Sequence, residues 1–476
     1  MNIYYIAAAI IGLGVAYATG VLQKAFRFIY GDFTPNELKK FLLYGVLICL
    51  IIGVYWELRC VKDAIFSGFV DPRETWKAKW LSLIVVFPLV TIYSYLVDLF
   101  PRQKLFYAVA TIYAVTFFVI AYLVGNPDWG LYAPKEARWG LLGWTSYVAI
   151  ESFGTLMVAL FYSFMADTTT PESGKKGYFI TATLAQVGAI AGSYAVASKC
   201  ADVNVLLNYG AAVILVIPFF VWFILYVTPK EEFAGYQAKG AHEPKKEKKT
   251  GFIEGLKLML SQPYLLAIFF IISAFEIIVT IFDLQFKILI AEFSGGDANK
   301  FAAYSGEFGV YLSVLALVSL LFGIGKIGRK IGITLSLSLM PLLLGVNILV
   351  MAAAFFGWLS FVPVITVVFW IQVVSKGINY ALGQPSKEQL FIPTSKEAKY
   401  KSKAWVDMFG SRFSKASGSG VKGFQAAMEK AGYFTLGAST MFLMGTSFVI
   451  CLIWFFVAMF AGKKATTAVE RNEIVC

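Results

Sequence analysis

The segment KEQLFIPTSKEAKYKSKAWVDMFGSRFSKASGSG, residues 387–420, is strongly charged and lies between two of the most apolar stretches of the chain. Thr394-Ser395-Lys396-Glu397 has the spacing of a capping box and follows Pro393, so a helix is predicted to begin there. Whether this helix crosses a membrane decides the fold, because the chain divides into two equal sets of membrane spans only if it does.

At 100° per residue, this predicted helix has a polar half and an apolar half. The polar half carries Lys403, Asp407, Ser411, Arg412, Lys415, Gly418 and Lys422, with Met408 as an exception among them. The other half carries Trp405, Val406, Phe409, Phe413, Ala416, Gly420 and Phe424. Such a helix could lie flat on a membrane surface as a basic interfacial element. We instead predict that it crosses, with its charged half facing a water-filled cavity, because the second set of spans then also has six members.

The composition indicates a protein that crosses a membrane many times. The 476 residues are 58% hydrophobic and 15% charged, with a mean hydropathy of +0.70, whereas about a quarter of the residues of a soluble chain are charged. Many apolar runs reach about 20 residues, the length that a helix needs to cross a bilayer core. The spacing of the five cysteines indicates no disulfide framework or zinc site, and a single histidine, His242, argues against histidine-based catalysis. No cofactor is predicted.

The apolar runs predict twelve membrane spans in two sets of six. The first set lies near residues 38–58, 79–98, 105–124, 139–165, 177–198 and 205–228, and the second near 264–290, 304–325, 332–356, 359–380, 402–428 and 434–461. TPKEEFAGYQAKGAHEPKKEKKTG, residues 228–251, separates the sets and is rich in Lys and Glu. It is typical of a solvated linker.

These spans predict an all-α polytopic membrane protein of the major-facilitator type, with two six-helix halves around a cavity at the membrane midplane. The predicted divisions are an N-terminal apolar helix and linker (1–33), a first half (34–228), a basic linker (229–262), a second half (263–461) and a tail (462–476). Lys and Arg concentrate in the loops on the linker's side, so the linker and the tail are predicted to be cytoplasmic. The net charge of +12 partly reflects this bias and does not indicate a nucleic-acid partner.

The N-terminal sequence MNIYYIAAAIIGLGVAYATGVLQKAF, residues 1–26, is about long enough for an additional membrane helix. A signal peptide would have a basic region ahead of the apolar run, and no basic residue precedes Ile3. An additional membrane helix is therefore preferred over a cleaved signal or an interfacial helix. The absence of a Ser- and Arg-rich transit segment favours a bacterial inner membrane over a plastid envelope.

Ionisable side chains within spans are costly and usually face a cavity or a partner. This chain has such residues in several spans: Glu57, Arg59, Lys62 and Asp63 in the first, Glu151 in the fourth, Glu276, Asp283 and Lys287 in the seventh, and Lys376 in the tenth. Arg59 and Lys62 could instead reach the interface, and Asp283 and Lys287 could simply pair on one helix face. Together with the charged eleventh span, these residues predict a positive cavity suited to an anion, and polyanions fit best because Lys and Arg hold phosphate through charge-assisted hydrogen bonds.

The motifs around these charges resemble those of the ATP/ADP translocase family, the nucleotide transporters of plastid envelopes and obligate intracellular bacteria. Residues 387–420 are similar to that family's signature stretch, with its Lys-Glu (387–388), aromatic-Ile-Pro (391–393), Lys-x-Lys-x-Lys-Ala (399–404), Asp407 and the SKASG end (414–418). RCVKD (59–63), ESFGTLMVALFYSFMAD (151–167) and DLQFK (283–287) resemble the family's motifs in spans one, four and seven. The resemblance extends in order from about Thr34 to the last span.

The resemblance implies that Lys62, Glu151 and Lys415 stand where the family has charged residues needed for nucleotide transport, and that Asp283 stands where it has a glutamate. Two departures bear on the substrate: Asp283 is one methylene shorter than that glutamate, and Gln384 replaces an aspartate of the family pattern. Residues expected to contribute to the same site are Arg59, Lys287, Lys376, Lys403, Asp407 and Arg412.

The predicted function is secondary transport of nucleotides, with ATP/ADP exchange by alternating access as the leading hypothesis. The sequence has no G-x-x-x-x-G-K-[ST] loop, so a nucleotide would be cargo and not fuel. Alternatives are a transporter of another phosphorylated anion, such as NAD or a nucleoside monophosphate, a proton-coupled nucleotide symporter, and a membrane-embedded enzyme. The predicted partners are the nucleotide and the lipid bilayer, and Trp144, Phe161 and Tyr162 are candidates for stacking on a purine. Oligomeric state is left open.

Overall fold

The computed structural model describes residues 33–198, 202–233, 252–321, 331–359, 361–395, 406, 410–471 and 473–475. All regular elements in these ranges are helical. In the first half of the chain the helices are α1 (Pro35–Phe69), α2 (Thr75–Leu99), α3 (Arg102–Val124), α4 (Leu141–Asp167), α5 (Pro171–Ala197) and α6 (Val203–Val227). The rest are α7 (Phe252–Ser261), α8 (Pro263–Phe293), α9 (Ala298–Leu321), α10 (Ile333–Phe355), α11 (Val364–Ile378), α12 (Gln384–Leu390), α13 (Ser411–Lys430) and α14 (Leu436–Arg471).

The helix ends follow from local sequence. Thr34 caps α1 in a complete capping box, in which its side chain accepts from the Glu37 amide and the Glu37 side chain accepts from the Thr34 amide. Asp202 caps α6 by accepting from the Val205 amide at 2.8 Å. At the other end of a helix, α13 stops where Gly432 adopts a φ of +78°, a conformation that favours glycine.

Ten helices in the described part of the chain are long and apolar enough to cross a membrane. The shorter apolar helix α11 and the polar helix α13 occupy the positions of the predicted tenth and eleventh spans, which confirms the twelve-span architecture. One boundary differs from prediction. α14 continues past residue 461 to Arg471, because Ala461, Ala465 and Ala468 are buried and Gly462 packs against Thr334 of α10.

The charged stretch forms a helix whose polar half faces the protein interior, as predicted. In α13, Ser414, Gly418 and Lys422 are buried, whereas Phe413 and Phe424 on the other half are exposed. This helix packs against α8, α2 and α14. Thr394 and Ser395 are described and are not part of a helix; the Thr394 hydroxyl donates to the Phe391 carbonyl at 2.7 Å. Residues 396–405, where the predicted helix would begin, lie outside the described residues, as do Lys403, Asp407 and the N-terminal apolar segment.

The helices run alternately between two sides of the molecule. The Lys40 ammonium near the start of α1 donates to the carbonyls of Thr168, at the end of α4, and Glu232, just after α6. These three ends therefore share one side with the chain that leads into the linker, which we call the linker side. The Arg138 guanidinium donates to the Gly68 carbonyl at the end of α1, which places the start of α4 on the opposite side.

The two halves meet closely at their ends on that opposite side. A Cβ built on Gly306 of α9 would lie 2.6 Å from the Ala197 nitrogen at the end of α5, and one on Gly423 of α13 would lie 2.7 Å from the Trp76 ring of α2. Small residues of this kind allow membrane helices to approach each other closely. The Val203 amide of α6 also donates to the Asn299 side chain of α9 at 2.9 Å. These contacts close one end of the space between the halves.

Candidate functional site

A cavity of about 220 Å³ lies between the two halves. Helices α1, α2 and α4 supply one wall, and α8, α9, α11, α12 and α13 supply the other. The charged residues that line it are Arg59, Lys62, Lys79, Glu151, Glu276, Asp283, Lys287, Lys376 and Lys415. We call this space the central cavity.

The central cavity carries an excess of positive charge. Six cations and three carboxylates line it, and 6 − 3 leaves a formal charge of +3. Charges held in a partly buried cleft of low dielectric attract counter-charges more strongly than the same charges in bulk water. A polyanion would neutralise this surface.

On the side of the first half, Lys62 is the central cation. It is 2% exposed, forms a close ion pair with Glu151 of α4, and lies 3.6 Å from the Asp63 carboxylate. Its ammonium also lies 4.1 Å from the centre of the Tyr147 ring, within the range of a cation–π interaction. Glu151, which has no charged neighbour in the sequence of its own span, thus finds its partner on α1.

On the side of the second half, Asp283 is the central anion. Its carboxylate accepts from Lys376 of α11 at 2.9 Å and lies 3.4 Å from Lys287 of its own helix. The (i, i+4) pairing of Asp283 and Lys287 foreseen from the sequence is present, and both groups also reach across the cavity. Lys79 of α2 lies 3.6 Å from Asp283.

Two of these ion pairs join the halves directly. The Lys287 ammonium of α8 donates to Asp63 of α1 at 3.0 Å, and the Lys79–Asp283 pair connects α2 to α8. One continuous charge network therefore crosses the interface between the two halves. Its members are Lys62, Glu151, Asp63, Lys287, Asp283 and Lys376. Arg59 lines the cavity and also stacks over the Trp56 ring at 4.8 Å.

Helix α13 contributes Lys415, whose ammonium lies 3.7 Å from Glu276 of α8. Arg412, one turn earlier, donates to the Thr155 hydroxyl of α4 at 3.4 Å and so also connects the halves. A five-residue π-helical turn, Asn379–Gly383, follows α11 and brings Asn379 and Tyr380 to the cavity wall. Such turns often occur at functional sites.

The structure adds cavity residues that the sequence did not single out for binding. Lys79 lies near the start of the second span, where a lysine is easily explained as reaching the interface, and Glu276 was noted only as a charge within a span. The aromatic lining is also different from the one expected. Trp144, Phe161 and Tyr162 pack within the first half, whereas the cavity is lined by Tyr55, Phe275 and Tyr380.

The sequence model of the TLC ATP/ADP transporter family matches residues 138–464, more than half of the chain. The chain belongs to this family. It is 23% identical over 498 aligned residues to ADP,ATP carrier protein 1 of Rickettsia typhi, covering 94% of this chain and 97% of that protein. It is 26% identical to ADP,ATP carrier protein 1 of Chlamydia pneumoniae, covering 92% of this chain and 94% of that protein.

Solved transporter structures share the fold of this TLC family member. The nucleoside transporter NupG matches with a TM-score of 0.62 at 15% sequence identity, covering 89% of this chain and 99% of NupG. A bacterial homologue of the iron transporter ferroportin, in an inward-facing state, matches with a TM-score of 0.60 at 11% identity, covering 90% of this chain and all of that one. These matches support the major-facilitator-like architecture.

Family membership makes this protein an integral membrane nucleotide transporter of the secondary type. It also decides against the membrane-embedded enzyme that the sequence left open, since the TLC family consists of transporters.

Proposed function

We propose that the protein exchanges ATP for ADP by alternating access, with the phosphates bound in the central cavity. The observation that supports this proposal best is the cavity's position and charge: it lies between the two halves and has a formal excess of +3. The Rickettsia and Chlamydia relatives carry the name ADP,ATP carrier protein. A site between two repeats near the midplane is where alternating access operates on a bound substrate.

In this proposal Lys62, Lys415 and Lys376 bind the phosphates, with Arg59 and Lys287 beside them. Lys and Arg hold phosphate oxygens through short charge-assisted hydrogen bonds. Lys403, Asp407 and Arg412 were predicted for the same site; Arg412 lies next to the cavity wall, on Thr155, and could reach a phosphate chain that extends along α13.

Glu151 and Asp283 would neutralise the cations when no nucleotide is bound. Lys62 pairs with Glu151, and Lys376 and Lys287 pair with Asp283, so part of the positive charge of the empty cavity is compensated. An arriving polyphosphate competes for the same ammonium groups and releases the pairs that join the halves. Since only a bound nucleotide replaces those pairs, the halves would rock freely only when loaded, which is the requirement for obligatory exchange.

We infer that the space between the halves opens toward the linker side. The tight glycine contacts of α9 and α13 and the Lys287–Asp63 pair all lie toward the opposite ends of the helices. We infer that the linker and the tail are cytoplasmic, that the membrane is a bacterial inner membrane, and that residues 34–228 and 263–461 are the two moving halves. The excess of Lys and Arg in loops on the linker side supports this orientation.

Tyr55 and Tyr380 are the aromatic residues best placed to contact the base. Both line the central cavity, one from each half. A Cβ on Gly154 of α4 would lie 2.1 Å from the Tyr55 ring, so the glycine leaves room for the ring position that is observed. A base that stacks between two rings from different halves would contact both halves at once.

One observation favours a second candidate, proton-coupled nucleotide symport. Glu57 of α1 is 2% exposed, and within the described part of the chain its Oε1 atom has no hydrogen-bond partner. A carboxyl group that is buried in a membrane span, with one oxygen atom lacking a partner, is a candidate for taking up and releasing a proton. Gln384, which lines the cavity in place of the acidic residue of the resembled pattern, leaves transport of another phosphorylated anion as a further alternative.

Reconstitution tests the proposal. Purified protein in liposomes loaded with ADP is expected to take up labelled ATP, while liposomes without internal nucleotide take up none. Uptake into both kinds of liposome, increased by an inward proton gradient and abolished in Glu57→Gln, would establish symport instead. If neither occurs, competition by NAD and nucleoside monophosphates for uptake identifies the anion, and ATP/ADP exchange is rejected.

A further inference from the structure

A second cavity, of about 530 Å³, lies within the second half of the chain. It is formed by the ends of α8, α10 and α13 and the start of α14, with Arg73 approaching from the loop between α1 and α2. These helix ends are on the side opposite the linker. We call this space the end cavity; it shares no lining residue with the central cavity.

The end cavity is electrically balanced, unlike the central one. Its charged lining residues are two cations, Arg73 and Lys422, and two carboxylates, Glu292 and Glu429, which gives a formal charge of zero. Arg73 and Glu292 are exposed at the rim, 3.8 Å apart. A polyanion such as a nucleotide would meet two carboxylates here, whereas a ligand that carries one positive and one negative group finds a partner for each.

Buried polar atoms in the end cavity still have hydrogen-bonding capacity. Gln425 is 4% exposed and Ser439 is 1% exposed, and in the part of the chain that the structure describes neither the Gln425 Oε1 atom nor the Ser439 hydroxyl has a partner. Leaving such groups buried and unpaired is unfavourable. Lys422, 5% exposed, donates to the Gln285 side-chain oxygen at 2.7 Å, which uses one of its three N–H bonds.

The remaining wall is apolar. Ile288 and Leu289 of α8, Phe355 and Phe356 of α10 and Leu443 of α14 line it, and Phe356 is 42% exposed. The cavity is therefore polar at Lys422, Gln425 and Ser439, charged at its rim, and apolar along its sides. Its location at the helix ends corresponds to the level of lipid head groups in a membrane that these helices span.

We propose that the end cavity binds a phosphoethanolamine group, as presented by phosphatidylethanolamine of the adjacent leaflet. Lys422 and the Ser439 hydroxyl donate to the phosphate, and Arg73 can join them from the rim. The primary ammonium group donates to the Gln425 Oε1 atom and to the Glu429 carboxylate. The glycerol and the upper acyl chains then lie against Phe355, Phe356 and Leu443.

This arrangement predicts selectivity among head groups. Phosphatidylcholine has the same net charge, but its quaternary ammonium has no N–H group to donate to Gln425. Phosphatidylglycerol has no positive group for Glu429, so the charge of its phosphate is not balanced within the head group. Loss of one hydrogen bond to a charged group corresponds to on the order of a tenfold change in affinity.

Native mass spectrometry of the full-length protein with matched lipids tests the proposal. We expect phosphatidylethanolamine to bind about tenfold more strongly than phosphatidylcholine. N,N-dimethyl-phosphatidylethanolamine, which keeps one N–H group, should have an intermediate affinity. Gln425→Leu should reduce this preference, whereas Ser439→Ala should weaken the binding of both lipids, because the phosphate that Ser439 binds is common to them. Lys430→Gln is the matched control, because Lys430 is exposed on the same helix and does not line the cavity.

A second experiment asks whether the phosphoethanolamine group comes from a lipid or from a free solute. Free phosphoethanolamine is added to the detergent-solubilised protein. Displacement of bound phosphatidylethanolamine by the free compound at comparable concentration assigns the site to a solute from water, and displacement only at large excess assigns it to the lipid. Equal binding of the ethanolamine and choline lipids, a preference unchanged in Gln425→Leu, or lipid binding unchanged in Ser439→Ala would overturn the proposal. These measurements detect binding by mass, so their result is independent of whether the protein exchanges ATP for ADP.

Discussion

Helix α13 contributes a lysine to each cavity, and the two cavities differ in charge: the central cavity is positive and the end cavity is neutral. Lys415 faces the central cavity among five other cations, whereas Lys422, two turns further along, faces a cavity with two cations and two carboxylates. The same residue type on the same face of one helix therefore belongs to a polyanion site in one place and to a balanced site in the other. The comparison teaches that the ligand class follows from the total charge brought together by several helices and not from the lysine itself.

The largest effect is expected from Lys62→Gln in the central cavity. Glutamine keeps most of the length but removes the charge, so Glu151 loses its partner and the phosphates lose a donor. ATP uptake into ADP-loaded liposomes should fall on the order of 10- to 100-fold, the equivalent of one or two hydrogen bonds to a charged group. Lys430→Gln serves as the control for expression and reconstitution. Normal uptake by Lys62→Gln would remove this residue from the phosphate site.

The next effect concerns the pair that joins the halves. Lys287→Gln breaks the bond to Asp63, so the end of the cavity opposite the linker should open without cargo. We expect ATP entry into liposomes that contain no nucleotide to rise several-fold while exchange falls. The charge-exchanged double variant Asp63→Lys/Lys287→Asp should restore part of the coupling. If ATP entry by Lys287→Gln still requires ADP inside the liposomes, the Lys287–Asp63 pair does not control closure of this end of the cavity.

The comparison of the two lysines is tested directly by Lys415→Gln and Lys422→Gln. Removing Lys415 should raise the KM for ATP about tenfold, because one phosphate contact is lost. Removing Lys422 should change the KM for ATP less than twofold, yet reduce binding of phosphatidylethanolamine. Measuring KM and lipid binding on both variants checks the assignment, and equal effects on the KM for ATP would mean that the two cavities belong to one site.

The smallest effect is expected at the base. Gly154→Val would place a Cβ 2.1 Å from the Tyr55 ring and displace it, so discrimination between ATP and pyrimidine triphosphates in a competition assay should fall a few-fold. Gly345→Val is the matched control, since a Cβ at Gly345 in α10 meets no heavy atom within 4 Å. Unchanged base selectivity in Gly154→Val, with protein levels as in the control, would exclude Tyr55 from base recognition.

Most of the helices could be predicted because their apolar runs are long and their caps are local. The Thr34-Glu37 capping box and the Asp202 cap lie beside the helices that they begin. The thickness of the bilayer core then sets the minimum length of each spanning helix. The end of α14 could not be predicted in this way. It extends to Arg471 because Ala461, Ala465 and Ala468 are buried and Gly462 packs on Thr334 of α10, and that packing depends on residues distant in sequence.

The site was predictable as a set of charges but not as a set of pairs. The sequence by itself determined that ionisable residues stand within apolar spans and that they outnumber their local partners, because each such residue is costly in lipid and therefore marks a cavity. Only the tertiary structure decided that Glu151 pairs with Lys62, that Lys287 reaches Asp63 across the interface, and that Lys79 belongs with Asp283. It also decided that Lys415 and Lys422 serve different cavities. The physical reason is that an ion pair depends on distances of a few ångströms between helices, and these distances are set by how the helices pack and not by the spacing of residues within any one of them.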